Sequence, residues 1–246
     1  MSLIKDCKAM IFAAGLGTRL KPFTDHHPKA LAQVNGKSLL QRNLEYLYGV
    51  GIVDFVINTH HFADQIDIEL KKIQRPEWKI TISYEADGPF ETGGGLAYAS
   101  TYLRKQALPF VVMNVDILTN LDLLGMFDYH QKINPLATLA VTDRESSRQL
   151  LFDDEMKLVG WKNKHSGEEK WVDGVVDDVK PFSFSGIHVI HPNIFKYMPA
   201  EGTFSMIDIY LKIAKDELVI AYDHSGDLVL DVGKPSSLTI AEEIFK

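Results

Sequence analysis

The chain has 246 residues, 46% apolar and 24% charged, a balance that suits a globular protein able to bury a large core. Its net charge of −7 argues against nonspecific nucleic-acid binding, which needs a basic footprint. The single cysteine, Cys7, excludes an internal disulfide and a cysteine-rich zinc site, and no apolar run approaches the ~18 residues that span a bilayer, so the cytoplasm is the expected compartment.

In chain order, residues 8–12 read as a buried strand that runs into Ala13-Ala14-Gly15-Leu16-Gly17-Thr18-Arg19. Leu39, Leu40, Leu44 and Leu47 fall near helical spacing and predict a helix over 38–50. A strand at 53–58, a helix at 62–74 stopped by Pro76, and an alternating strand at 79–85 follow. Residues 92–105 predict a helix after a glycine-rich entry, and 109–113 an apolar strand ending at Asn114-Val115-Asp116. A helix at 121–133 and a strand at 136–142 complete this alternation.

After about Arg144 the rhythm changes. Stretches 150–161 and 170–179 are polar and short-strand-like, and 184–190 is again a strand. Short helices are expected at 193–197 and 205–214, strands at 218–222 and 228–231, and a closing helix at 235–245. The pattern predicts an α/β chain with a doubly wound, mostly parallel, Rossmann-like sheet and a small insert. One domain is expected over 1–246, with residues 1–143 as one half and 144–246 as the other. Ligands in such sheets lie beyond the carboxyl ends of the strands, where the Gly15–Gly17 loop, Asn58 and Asp116 all fall.

The opening loop suits a polyphosphate. Small residues let backbone N–H groups approach phosphate oxygens, and Arg19 and Lys29 supply positive charge. A dinucleotide-binding loop fits poorly, because Leu20 stands where the third glycine is required and Asn58 replaces the acidic ribose ligand.

Ala14-Gly15-Leu16-Gly17-Thr18-Arg19, Pro28-Lys29-Ala30-Leu31, Glu91-Thr92-Gly93-Gly94-Gly95, Asn114-Val115-Asp116 and Leu230-Asp231-Val232-Gly233 occur in an order that resembles the sugar-phosphate nucleotidyltransferases. The Glu-Thr-Gly-Gly-Gly form and the short chain are most similar to the N-acetylmuramate-1-phosphate uridylyltransferase branch, with the mannose-1-phosphate guanylyltransferases nearby. The resemblance implies a nucleotide-diphospho-sugar transferase fold and partners that are a nucleoside triphosphate, UTP before GTP, and a sugar-1-phosphate. It implies neither a nucleic-acid nor a membrane partner.

By the same resemblance, Arg19 and Lys29 are catalytic: Arg19 holds the β/γ-phosphates, and Lys29 holds the α-phosphate or the sugar's phosphate. Asp116 and Asp231 would bind Mg²⁺, the expected cofactor. Ala13, Ala14, Gly15, Gly17, Thr18, Asn58, Glu91, Gly93 and Gly94 are the candidate nucleotide contacts. Asn114, Arg148, Lys180, Gly186 and Asp208 are the candidate sugar contacts. Asp208 reads equally as a cap of local structure, and Glu91 as a solvated side chain. Arg144 and Arg148 suit an acidic or phosphorylated substrate or a solvated loop, whereas Trp161, Trp171, Phe182 and Phe184 read as packing. Val115 replaces the family's usual glycine, which would narrow the floor of the site or alter its backbone. A binding protein that kept the fold and lost turnover is the alternative from another class.

Overall fold

A computed structural model describes residues 4 and 6–245. In chain order its elements are β1 (Lys8–Phe12), β2 (Gln33–Val34), β3 (Lys37–Ser38), α1 (Leu39–Gly49), β4 (Asp54–Thr59), α2 (Ala63–Ile73), β5 (Lys79–Tyr84), α3 (Glu91–Tyr98), α4 (Ser100–Leu103), β6 (Phe110–Asn114) and β7 (Ile117–Thr119). There follow α5 (Leu123–Ile133), β8 (Ala137–Thr142), β9 (Arg148–Phe152), β10 (Leu158–Asn163), β11 (Glu169–Trp171), β12 (Lys180–Ile190), α6 (Met206–Ile213), β13 (Val219–Asp223), β14 (Val229–Asp231) and α7 (Pro235–Ile244).

The central sheet runs β11-β10-β9-β12-β6-β1-β4-β5, with β8 and β13 attached through β12. Strands β6, β1, β4 and β5 are mutually parallel. Their apolar runs are continuous because both faces are covered. Along β1, Ala9 and Ile11 enter one core, and Met10 and Phe12 enter the other. Residues alternate across a strand, so a sheet between two layers needs apolar side chains at every position.

Helix α1 starts where Ser38 caps it, its hydroxyl accepting from the Gln41 N–H at 3.1 Å. Its Leu39, Leu40, Leu44 and Leu47 are fully buried, as the spacing predicts. The chain winds from β1 outward to β4 and β5, then returns to place β6 on the other side of β1. The winding direction reverses between β1 and β6, which opens a crevice at their carboxyl ends.

The second half departs from the parallel pattern. β12 runs antiparallel to β6, β8 and β9, and β9, β10 and β11 form an antiparallel meander. The strand expected at 184–190 extends back to Lys180. Its register shifts between Phe184 and His188, around Gly186 at φ +73. This irregularity lets one long strand serve the parallel sheet at its end and the meander at its start. The stretch expected at 150–161 splits into β9 and β10, and of 170–179 only the first residues join a strand, β11. The expected helix 92–105 divides into α3 and α4, and 193–197 overlaps a 3-10 turn at Pro192–Lys196. Among the described residues no helix is long and apolar enough to cross a membrane.

Candidate active site

The crevice between β1 and β6 holds a cavity of about 290 Å³. Its floor is the loop after β1. No described residue accepts a backbone hydrogen bond from the N–H groups of Ala14 through Thr18. The cavity is lined by Ala14, Gly15, Gly17 and Thr18, which makes it a concave site rich in backbone donors. Gly17 has φ +62, and a Cβ there would lie 2.9 Å from both Lys29 Cβ and Thr24 Cγ2. Glycine therefore lets Lys29 pass tightly beneath the loop.

Ala13 plays a different part from the one expected. Its N–H donates to Asn58 Oδ1 at 2.7 Å, inside the protein. Asn58 in turn donates from Nδ2 to Glu85 Oε1 at 2.7 Å, and Glu85 Oε2 accepts from the Phe90 N–H at 2.9 Å. The principal polar groups of Asn58 are thus engaged in fixing the loop, although the residue also lines the cavity. Glu85 is fully buried, and that burial raises its carboxyl above the usual carboxylate range. The expected strand ended on Glu85 without marking it as a site residue; its signal was an acid closing a strand at the binding end of the sheet.

The charged groups converge from four segments. Lys29 is ion-paired with Asp116, both largely buried. Arg19 Nη2 lies 3.6 Å from Asp231 Oδ2, and both are more open to solvent. Strands β7 and β14 pair antiparallel, with Asp231 opposite Ile117, and the Val232 N–H donates to the Asp116 carbonyl at 2.8 Å. This pairing carries Asp231 beside Asp116 across more than a hundred residues of sequence. Gly233 completes the corner: a Cβ there would lie 2.5 Å from Asp231 Oδ1 and 2.9 Å from Arg19 Nη2.

Asp231 Oδ1 is buried with no hydrogen-bond partner among the described residues. An orphaned carboxylate oxygen, on a segment whose backbone pairs with that of Asp116, suits a hard divalent cation, which takes oxygen ligands and completes its shell with phosphate and water. No group of three or more His, Cys, Asp or Glu residues that could hold a metal ion gathers among the described residues.

Val115 lines the crevice without an unusual backbone. It is 5% exposed, its N–H donates to the Phe12 carbonyl, and its own carbonyl accepts from Asn43 Nδ2 at 2.7 Å. Its φ is not positive, so this backbone does not require glycine.

Gly93 and Gly94 correct the sequence reading. Both are buried in α3, and both N–H groups donate to the Phe204 carbonyl. A Cβ on Gly93 would lie 2.4 Å from the Phe204 ring, and one on Gly94 only 2.1 Å from the Gly202 carbonyl. These glycines allow α3 to pack against the segment before α6, and their backbone does not line the crevice. Glu91 and Thr92 do line it, with Glu91 held at φ +57.

A second cavity of about 330 Å³ adjoins the first, sharing Asn114 and Thr92. Arg144, Arg148 and Asp231 supply its charge, and Trp161, Phe184 and His188 its ring surfaces. Trp161 and Phe184 pack against the core, as expected, and also line this cleft. Arg144 also donates to the Phe184 carbonyl at 3.1 Å. Gly186 has no room for a side chain, because a Cβ would lie 2.8 Å from Asn114 Nδ2; it positions Asn114 instead of lining a cavity. Asp208 lies further out, beside Arg148 in a third, more open cavity, and accepts from Lys170 at 2.8 Å. Lys180 stands apart. It begins β12, pairs with Asp154 at 3.0 Å and lines none of these cavities, because the strand extends further back than expected and carries the lysine out of the cleft.

The nucleotidyl transferase family profile matches residues 8–245. An N-acetylmuramate alpha-1-phosphate uridylyltransferase of Caulobacter vibrioides is 30% identical over 95% of each chain. A mannose-1-phosphate guanyltransferase of Schizosaccharomyces pombe is 26% identical over 93% of this chain, which spans 61% of that protein's length. The crystal structure of HddC from Yersinia pseudotuberculosis superposes with a TM-score of 0.77 at 24% identity, covering 98% of this chain and all of the other. A UDP-glucose pyrophosphorylase complexed with UDP-glucose has the same fold, with a TM-score of 0.76 at 18% identity over 97% of this chain and 98% of that one. With its fold, its charged crevice, the family profile and a uridylyltransferase relative matched along nearly its whole length in agreement, the chain belongs to the nucleotidyl transferase family, among the sugar-1-phosphate nucleotidyltransferases.

Proposed function

We propose that the protein joins UTP and a sugar-1-phosphate into a UDP-sugar with release of pyrophosphate, using Mg²⁺. The observation that carries this reading is the pairing of Lys29 with Asp116 and of Arg19 with Asp231 around one loop of free N–H groups. Two cations, two carboxylates and a donor-rich backbone suit a triphosphate with a divalent cation better than they suit any acid–base reaction.

An oxygen of the sugar's phosphate attacks the α-phosphorus, the bond to the β-phosphate oxygen breaks, and its electron pair leaves with pyrophosphate. The nucleophile is already an anion near neutral pH, so no general base is needed. The barrier lies in bringing anions together and in the charge gathering on the leaving group. Lys29 meets charge at the α-phosphate, and Arg19 meets it at the departing pyrophosphate. When bound by Asp116 and Asp231, Mg²⁺ supplies further charge stabilisation as a Lewis acid. Ala14 to Thr18 hold phosphate oxygens through the backbone, and Thr92 and Asn114 stand where the two cavities meet.

UTP is favoured because the 30% identical relative, matched along nearly its whole length, is named a uridylyltransferase. GTP is the second reading, supported by the guanyltransferase relatives. For the sugar, Arg144 and Arg148 suit a substrate bearing a carboxylate, as an N-acetylmuramate does.

Pyrophosphate release should be measured across several nucleoside triphosphates and sugar-1-phosphates, with and without Mg²⁺. Mg²⁺-dependent release with UTP and a carboxylated sugar-1-phosphate is expected. Faster release with GTP would move the assignment to a guanylyltransferase, and silence across the panel would favour a binding protein without turnover.

A further inference from the structure

Inside the second cavity lies an uncharged group that the transfer chemistry leaves unused. His188 on β12 is 2% exposed, yet its ring lines the cavity beside Phe184, Trp161 and Arg148. Phe184 meets the imidazole in an edge arrangement, with 4.7 Å between ring centroids. Nδ1 lies 2.6 Å from the hydroxyl of Tyr210 on α6.

Tyr210 is fully buried, and its hydroxyl has no other partner among the described residues. A buried phenol proton needs an acceptor, and Nδ1 is the one in reach. If Nδ1 accepts, the neutral ring carries its hydrogen on Nε2. Nε2 bonds to no described residue and is not among the sealed polar atoms, whereas His130 Nε2 is. The second nitrogen of His188 therefore remains open to the cavity as a donor.

We propose that His188 Nε2–H is a fixed, uncharged donor that binds a neutral acceptor oxygen of the sugar, with Tyr210 positioning it by holding the ring in that tautomer. This rests on the transferase reading given above. The charged groups sharing the cavity are Arg144, Arg148 and Asp231. The arginines match anionic parts of a substrate, whereas His188 selects a hydroxyl, ether or acyl oxygen. Burial pushes its imidazole down to about 3, so the donor carries no charge near neutral pH. Phe184, Met206 and Leu150 supply apolar surface in a lining that also carries polar and charged side chains. A sugar lacking the matching oxygen would strand the N–H without a partner, which gives a neutral hydrogen bond its power to discriminate.

The test pairs kinetics with a readout that needs no turnover, both on the full chain. His188→Phe is expected to raise KM for the sugar-1-phosphate about tenfold and to leave the nucleotide KM unchanged. His188→Gln, whose amide nitrogen reaches toward the place of Nε2, should recover part of that loss. Nitrogen-15 NMR of histidine-labelled protein should show His188 as the Nε2–H tautomer, silent to titration between about pH 5 and 8. Its Nε2 signal should move when a sugar-1-phosphate is added, and Tyr210→Phe should remove the tautomer preference. An Nδ1–H tautomer, a titrating ring, or an Nε2 signal unmoved by every sugar-1-phosphate in the panel would overturn the proposal, even in an inactive protein. A wild type that shows the Nε2 response but releases no pyrophosphate would instead overturn the transferase reading and leave the donor standing.

Discussion

On the proposed function, the two halves of the cleft would recognise their ligands by different means, one a phosphate end and the other a sugar end. At the phosphate end, a loop after a parallel strand offers backbone N–H groups, held by Asn58 and Glu85 through hydrogen bonds sealed in the core. At the sugar end, side chains from β9, β10, β12 and the loop before β9 converge across antiparallel strands. Backbone recognition suits a group that every reaction of this type shares. Side-chain recognition can change one residue at a time, so it suits the partner that differs among relatives. The two ends also bury opposite kinds of titratable group: Glu85 at the first cavity and His188 at the second.

Asp116→Ala strikes the phosphate end and has the largest expected effect. Turnover should fall by about a thousandfold or more while circular dichroism shows an intact fold. Arg19→Ala should lower kcat with little change in the sugar KM, and a change in the sugar KM alone would remove it from the leaving-group role.

Acid should weaken the fold through a buried histidine on α5 that lies in neither cavity. Burial, helped by nearby His191, pushes the His130 imidazole from 6.5 down to about 4. A depressed histidine contributes stability that is present above its unfolded value and lost as pH falls toward its folded one. Over that window His130 accounts for roughly 3 kcal/mol. Urea unfolding at pH 7 and pH 4.5 should therefore differ less in His130→Gln than in the wild type. Glu85 acts in the opposite sense: its raised carboxyl contributes stability at low pH that is lost as pH rises through the folded value.

The seam between the halves is α3 against the 202–206 segment. Gly94→Ala puts a Cβ 2.1 Å from the Gly202 carbonyl, and the forced shift should destabilise the fold by about 2 kcal/mol, read as a lower urea midpoint. The smallest effect belongs to the sugar end. Arg148→Ala should raise KM about tenfold for a carboxylated sugar-1-phosphate and leave the nucleotide KM untouched. An equal change for an uncharged sugar would break the division between the halves.

The sequence by itself determined which N-terminal residues gather around the first crevice. Strand, loop and cation follow one another within a few residues, so local spacing carries Gly15, Gly17, Arg19 and Lys29 into one crevice. Asp116 and Asp231 were legible as motif residues, but their meeting depends on β7 pairing with β14. Only the tertiary structure decided the rest. Gly93 and Gly94 look like ligand-facing glycines until Phe204 and Gly202 are seen against them. Lys180 looks near the sugar until β12 carries it to Asp154. Glu85, Trp161, Phe184 and His188 carry no motif at all. They face the cleft because strand pairing, the bend at Gly186 and burial place them there, and those are long-range forces that residue spacing does not record.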